Sequence, residues 1–214
     1  MVDQALDLTR SEMRCLDLFC GAGGSAMGLH RAGFDLVGID NRPQPHYPFQ
    51  FIQADALKPP VRFEDFDLIW ASPPCQGYSR TRHLPWLKNK VHPMLIEPIR
   101  EMFAALNVLH IIENVGDSPL IGISLRGGMF GLPFKRLRRF EANFHIHVPP
   151  YVKEPVGLSG KQFGGRLSKQ HKQMGEVGGQ AIPPEYSEWI GKYAIIALRE
   201  RLAGHPEHMM PNLG

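Results

Sequence analysis

Residues 14–40 read RCLDLFCGAGGSAMGLHRAGFDLVGID, and the order of patterns in this stretch decides the fold. The run Arg14 to Phe19 is short and apolar, as a strand buried on both faces requires. A glycine cluster follows, then SAMGLHRAG, whose spacing predicts a helix stopped by Gly33. A second buried strand, FDLVGID, ends on Asp40. Strand, tight turn, helix, strand is the βαβ unit of a parallel sheet. Working outward, FIQAD reads as a third strand ending on Asp55, FDLIWAS as a fourth running into Pro73, Pro74 and Cys75, and LHIIENV as a fifth ending on Glu113 and Asn114. Residues 93–106 read as a helix in spite of Pro98. The expectation is an α/β fold with a doubly wound, mostly parallel sheet covered on both faces.

The 214 residues, 43% hydrophobic and 21% charged, suffice for one well-buried domain and not for two. No apolar run approaches the roughly 18 residues of a membrane span, and the first residues lack an apolar stretch behind a basic start, so a cytoplasmic protein without membrane contact is expected. Cys15, Cys20 and Cys75 are odd in number and form no CxxC pair. Reduced thiols follow, and no metal site is expected. Charge is unevenly placed. Between Lys135 and Lys172 nine lysines and arginines face two glutamates, a formal +7 in a chain whose total is +3. Such a segment suits a polyanion, although a solvated basic loop has the same composition.

In an open parallel sheet, ligands bind beyond the carboxyl ends of the strands, and the polar residues named above gather there. Gly21, Gly23 and Ala26 match G-x-G-x-x-G/A between strand and helix, and Asp40 closes the next strand. The glycines allow a tight turn and close ligand approach, and the carboxylate can accept hydrogen bonds from ribose hydroxyls. Asp55 suits an exocyclic adenine amine or, equally, a loop cap. This pattern alone leaves nicotinamide dinucleotides and S-adenosylmethionine open. Cys75 lies in SPPCQGYSR, a polar loop stiffened by two prolines beside that crevice, which makes it a nucleophile candidate. Cys15 and Cys20 read as small buried apolar residues.

LDLFCGAGG (Leu16 to Gly24), PPCQGYSR (Pro73 to Arg80), ENV (Glu113 to Val115), GLPFKRLRRF (Gly131 to Phe140) and GQAIPP (Gly179 to Pro184) together resemble, in order and spacing, the motifs of cytosine C5 DNA methyltransferases. The resemblance spans residues 14–140 and about 175–200. It implies a Rossmann-like methyltransferase fold, S-adenosylmethionine as cofactor and double-stranded DNA as partner, in settings such as restriction-modification. It implies Cys75 as nucleophile at cytosine C6, Glu113 holding and protonating N3, Arg138 at O2, and Arg136 positioning the base or Cys75. Phe19, Gly21, Gly23, Gly24, Asp40, Asp55, Pro74 and Ala181 would touch the cofactor. Phe134 stands where the family's arginine motif opens with glutamine, and Gln180 where asparagine is common.

On this reading residues 1–12 are a tail, 13–140 the catalytic domain, 141–178 a short basic substrate-contacting segment, 179–203 a returning helix and 204–214 a second tail. Full-length family members carry a sizeable target-recognition region in place of the 38 residues from 141 to 178. A recognition subunit is therefore a possible partner. The shortness also leaves room for the same chemistry on RNA or a free cytidine nucleotide, and for a silent nucleic-acid-binding subunit, which intact Cys75, Glu113 and Arg138 argue against.

The segment's glycines and cations (Lys153, Lys161, Arg166, Lys169 and Lys172) suit phosphate contact better than base reading. If four of the five engage phosphates, log affinity for duplex DNA should fall with log salt at a slope of roughly −3.6. Alanine at all five should flatten it, and an unchanged slope across a salt series would show that the segment makes no such contact.

Overall fold

The computed structural model describes residues 13–79, 92–153 and 181–204. Seven strands, β1 (Met13–Leu18), β2 (Phe34–Asp40), β3 (Gln50–Gln53), β4 (Leu68–Ala71), β5 (Leu109–Val115), β6 (Ile123–Leu125) and β7 (Arg138–Ala142), form one sheet in the order β3-β2-β1-β4-β5-β7-β6. The pairs from β3 through β5 are parallel, and β7 runs antiparallel to both neighbours. This is a doubly wound, mostly parallel sheet of Rossmann-like type. Helices α1 (Gly24–Ala32) and α3 (Pro184–Leu202) cover one face, and α2 (Ile96–Ala104) covers the other.

Alternation along the strands builds two cores, because successive side chains point to opposite faces. Cys15, Leu36, Leu68, Trp70, Leu109 and Ile111 pack with Leu29 of α1 and Tyr186, Ile190 and Ala194 of α3. Leu16, Leu18, Val37, Ile39, Ile69 and Ile112 pack with Ile96, Ile99 and Phe103 of α2. Both faces of β1, β2, β4 and β5 are largely buried, which is why they read as near-continuous apolar runs, whereas the edge strand β3 is partly exposed.

Helix α1 stops as expected at Gly33, whose φ of 115° lets its amide close on the His30 and Leu29 carbonyls. Helix α2 begins at Ile96, three residues later than the spacing suggested. Pro98 then falls in the first turn, where a missing N–H costs nothing. Strand β3 is shorter than expected and ends at Gln53, so Asp55 does not close a strand. It lies two residues on, exposed in a turn, where its carboxylate accepts the Leu57 amide at 3.0 Å. Strand β7, through the arginine-rich run, was not foreseen. Downstream of it, Phe144 and Ile146 are buried in the α1/α3 core.

Helix α3 packs along α1 at near contact of backbones. A Cβ on Gly28 would overlap the Pro184 carbonyl and the Ser187 hydroxyl, and one on Gly24 would come within 2.7 Å of the Ile182 carbonyl. Glycine on α1 is thus what seats residues 181–188 against the turn after β1.

Asp17 is completely buried in the middle of this packing. Its carboxylate accepts the Ser25 hydroxyl of α1 at 3.1 and 3.3 Å and the Tyr47 hydroxyl of the β2–β3 connection at 3.4 Å. Burial raises its pKa to about 7, against the two hydroxyl bonds and helped by Asp40 and Glu113. A carboxyl so raised stabilises the fold while it is protonated in both states, below about pH 4, and that contribution is lost as pH rises toward 7. The difference is on the order of 4 kcal/mol. The stability of Asp17→Asn relative to the native chain should therefore rise by about that amount between pH 4 and pH 8. Denaturant titrations in which the two proteins keep parallel pH dependence would refute the buried charge.

Candidate active site

The site lies along the carboxyl edge of the sheet, where β1, β2, β4 and β5 end and the antiparallel β7 begins. At the end of β1 the chain leaves the sheet through Phe19, a non-glycine residue at φ 58°, and Gly21 and Gly23 at φ 49° and 83°. Three left-handed residues in five reverse the chain into α1, and Phe19 carries a strain of about 1–3 kcal/mol that neighbouring packing must hold. The turn is tied to β2 at two points. The Cys20 amide donates to the Ile39 carbonyl at 3.1 Å, and the Gly21 amide to the Asp40 carboxylate at 3.2 Å. The second Asp40 oxygen accepts the Arg42 amide at 3.0 Å.

These residues fit an adenosyl group. No atom lies within 4 Å of where a Cβ on Gly21 would be, so the turn faces open space. The half-buried Phe19 ring and the Asp40 carboxylate, whose oxygens keep lone pairs beyond their amide bonds, border that turn. Ala181 lies on the other side of it, its Cβ 2.9 Å from where one on Gly24 would be. Asp55, two residues beyond β3, is bonded to its own turn.

Strand β4 delivers the cysteine. The Ser72 amide donates to the Leu18 carbonyl at 3.1 Å, after which Pro73 and Pro74 carry the chain off the sheet. Cys75 sits in a turn closed by the Tyr78 and Ser79 amides, both 3.0 Å from its carbonyl. The thiol is half-buried, while Cys15 and Cys20 are buried. Asn114 of β5 holds the loop by donating to the Pro73 carbonyl at 3.0 Å.

Glu113, one residue earlier on β5, is 6% exposed. Arg138, at the start of β7, places its Nε 3.0 Å from Glu113 Oε1, and both side chains are largely buried. Burial raises the Glu113 pKa, opposed by Arg138, a hydrogen bond from Ser72, and Arg136. Burial likewise raises the Cys75 thiol, with Arg138 pulling it down, Glu113 pushing it up and Arg136 pulling it down. Cysteine, glutamate and two arginines therefore share one electrostatic environment. Burial, then the Arg138 charge, lowers Arg136 to about 10. Arg136, at φ 25°, donates through its guanidinium to the Ala181 carbonyl, and its own carbonyl accepts the Tyr186 hydroxyl at 2.9 Å.

The four residues expected to carry chemistry thus come together, with Pro74 beside them and Ala181 bound to Arg136. Ser72, Asn114 and Tyr186, which hold the pieces in register, were not singled out from sequence. Asn114 was visible as part of ENV, whereas nothing local marks Tyr186. Lys153 is described and exposed. Lys161, Arg166, Lys169 and Lys172, with Arg80 and Gln180, lie outside the described residues.

Comparison with known proteins bears on the same region. Residues 13–117 match the sequence model of C-5 cytosine-specific DNA methylases. Type II methyltransferase M.AgeI of Thalassovita gelatinovora is 24% identical over 217 residues, 88% of this chain and 46% of that protein. Type II methyltransferase M.HgiDI of Herpetosiphon aurantiacus is 34% identical over 79 residues, 31% of this chain and 26% of that protein. The chain thus spans less than half the length of these relatives. Among solved structures, the S. pombe Dnmt2 methyltransferase aligns with a TM-score of 0.43 at 20% identity, over 61% of this chain and 49% of that one. The stretch that begins at β1 and carries the Cys75 loop and the Glu113 strand is thus similar to the C-5 cytosine-specific DNA methylases.

Proposed function

We propose that the chain methylates C5 of cytosine in DNA through a transient bond between Cys75 Sγ and C6 of the base. The observation that carries this reading is the convergence of Cys75 with the buried Glu113–Arg138 pair, 3.0 Å across, on the sheet edge that carries the glycine turn. C5 of cytosine is too weak a nucleophile until something adds at C6. The Cys75 thiolate adds there, Glu113 holds and protonates N3, and Arg138 meets O2, so the ring becomes an enamine with its electron pair at C5. When bound, S-adenosylmethionine supplies the electrophilic methyl group that C5 takes. Loss of the C5 proton to a base then expels the Cys75 thiolate and restores the aromatic ring.

The local electrostatics support each role. A carboxyl raised by burial is more readily protonated near neutral pH, as a donor to N3 must be. Arg138 and Arg136 offset the burial that disfavours the Cys75 thiolate. Phe19, Gly21, Gly23, Gly24, Asp40, Asp55, Pro74 and Ala181 would hold the cofactor. The basic stretch after β7, Lys153 onward, would meet the phosphates of duplex DNA in a cytoplasmic setting. No helix among the described residues is long and apolar enough to cross a membrane.

The chemistry is tested by trapping. With cofactor and random-sequence duplex DNA carrying 5-fluorocytosine, intact-mass analysis should find a covalent adduct, because fluorine at C5 cannot leave as a proton. Cys75→Ala should form none, and undiminished adduct in that variant would reject the nucleophile. Parallel incubation with 5-fluorocytosine RNA and the free nucleotide decides the substrate class.

The cofactor reading is tested at Asp40. A charged hydrogen bond is worth about 1.5–3 kcal/mol, so Asp40→Ala should weaken S-adenosylmethionine binding roughly ten- to 150-fold, with a smaller effect on the chemical step at saturating cofactor. Equal affinity by calorimetry would remove Asp40 from the pocket.

A further inference from the structure

The loop that carries Cys75 is fastened to α2 as well as to the sheet, and the second fastening is a side-chain hydroxyl. Tyr78, 8% exposed, accepts the Ile96 amide at 3.0 Å. That amide is the first of α2, one of the donors that a helix start leaves without an intrahelical partner, and the residue preceding it, Leu95, provides no side-chain cap. Tyr78 therefore caps α2 from 18 residues away in sequence. Its ring belongs to the same core cluster as Ile96, Ile99, Leu18 and Ile112. Beside it, Gly77 leaves room for the 93–94 segment. A Cβ there would come within 2.5 Å of the Met94 sulfur and 3.4 Å of the Pro93 carbonyl. Cys75 is thus held from two sides, by Asn114 on Pro73 and by Tyr78 on Ile96, and its carbonyl accepts the Tyr78 amide itself.

We infer that Tyr78 is a positioning residue for the Cys75 nucleophile, acting through the hydrogen bond of its hydroxyl to the first amide of α2. The inference rests on the proposed function for its kinetic consequence but not for its geometry. A phenylalanine at this position fills the same core volume and leaves the Ile96 amide with no acceptor in a buried place, so the loop and the helix start must part to admit water. Sγ then loses the fixed approach to the base that attack at C6 requires, and displacement by an ångström in such a constellation lowers rates by about a hundredfold.

The test compares Tyr78→Phe with Ile99→Val, which removes one methylene from the same core cluster and keeps the Tyr78 hydroxyl that bonds the Ile96 amide. Alkylation by iodoacetamide needs no substrate. Mapped by peptide mass, it should accelerate at Cys75 at least threefold in Tyr78→Phe, because loosening uncovers the half-buried thiol. Cys15 and Cys20 should stay protected, and Ile99→Val should match the native rate. In turnover, Tyr78→Phe should lower kcat tenfold or more with cofactor affinity and the KM for DNA within twofold of native, while Ile99→Val keeps kcat. Equal Cys75 alkylation in the native protein and Tyr78→Phe overturns the inference, as does a kcat loss no larger than that of Ile99→Val. If the native protein methylates no cytosine substrate, the proposed function falls while the alkylation result still decides the role of Tyr78.

Discussion

A carboxylate buried at the end of a strand needs a cation of fixed geometry, and the pairing of Glu113 with Arg138 is the constraint from which the arrangement of this site follows. Leaving either partner alone in such a place costs several kcal/mol. The parallel neighbour β4 runs out beside Glu113 into Ser72, which offers a hydroxyl and no charge. The antiparallel neighbour β7 starts at that edge with Arg138. In the register of β5 and β7, Arg138 stands opposite Val115 while Phe140 stands opposite Glu113, which lets the guanidinium reach across two positions to Oε1. The antiparallel register of β7 thus supplies the ion pair, and the ion pair places a cation beside Cys75.

The remaining contacts fix other segments relative to that pair. Asn114 follows Glu113 on β5 and draws in the cysteine loop through the Pro73 carbonyl. Arg136 precedes Arg138 and draws in Ala181, while Tyr186 bonds back to the Arg136 carbonyl. The α1–α3 packing over Gly24 and Gly28 seats residues 181–188 from the opposite side. The cysteine loop and residues 181–186, far apart in sequence, meet here because the first accepts a hydrogen bond from Asn114 and the second makes two with Arg136. On the proposed function this is preorganisation. The groups that meet the base are held before it arrives, so ordering them does not add to the barrier.

How much of this was legible in the sequence depended on where each residue's partners lie. Strands β2 and β5 fall on the runs FDLVGID and LHIIENV, and α1 ends at Gly33, because dry strands and a glycine stop leave local signatures. The run RRFEA of β7 has no such signature. Its charges suit a strand only through distant partners: Arg138 on Glu113, Arg139 on the Ser118 and Leu120 carbonyls, and Glu141 on Arg100 and the Ile121 amide. Asp17 was hidden the other way, inside an apolar run that marks a buried strand, with hydroxyl partners 8 and 30 residues on. The cysteine loop was legible by residue type and order, whereas its fastening by Asn114 and Tyr78 depends on how β4, β5 and α2 sit together.

The three cysteines differ in the charges that surround them. Burial raises all three thiols, so exposure alone does not make a nucleophile. Cys15 is raised further by Asp17 and Asp67, and Cys20 by Asp17 and Asp40. Both face only carboxylates, Asp17 being common to the two. Cys75 faces Glu113 as well, but Arg138 opposes burial there more strongly than Glu113 reinforces it, and Arg136 adds to the opposition. Its thiolate is the only one of the three with cations to stabilise it, and those cations lie at the start of β7 and two residues before it. On the proposed function, the nucleophile thus depends on cations from the β7 edge of the sheet, acting on a loop that two prolines and two hydrogen bonds keep within their reach.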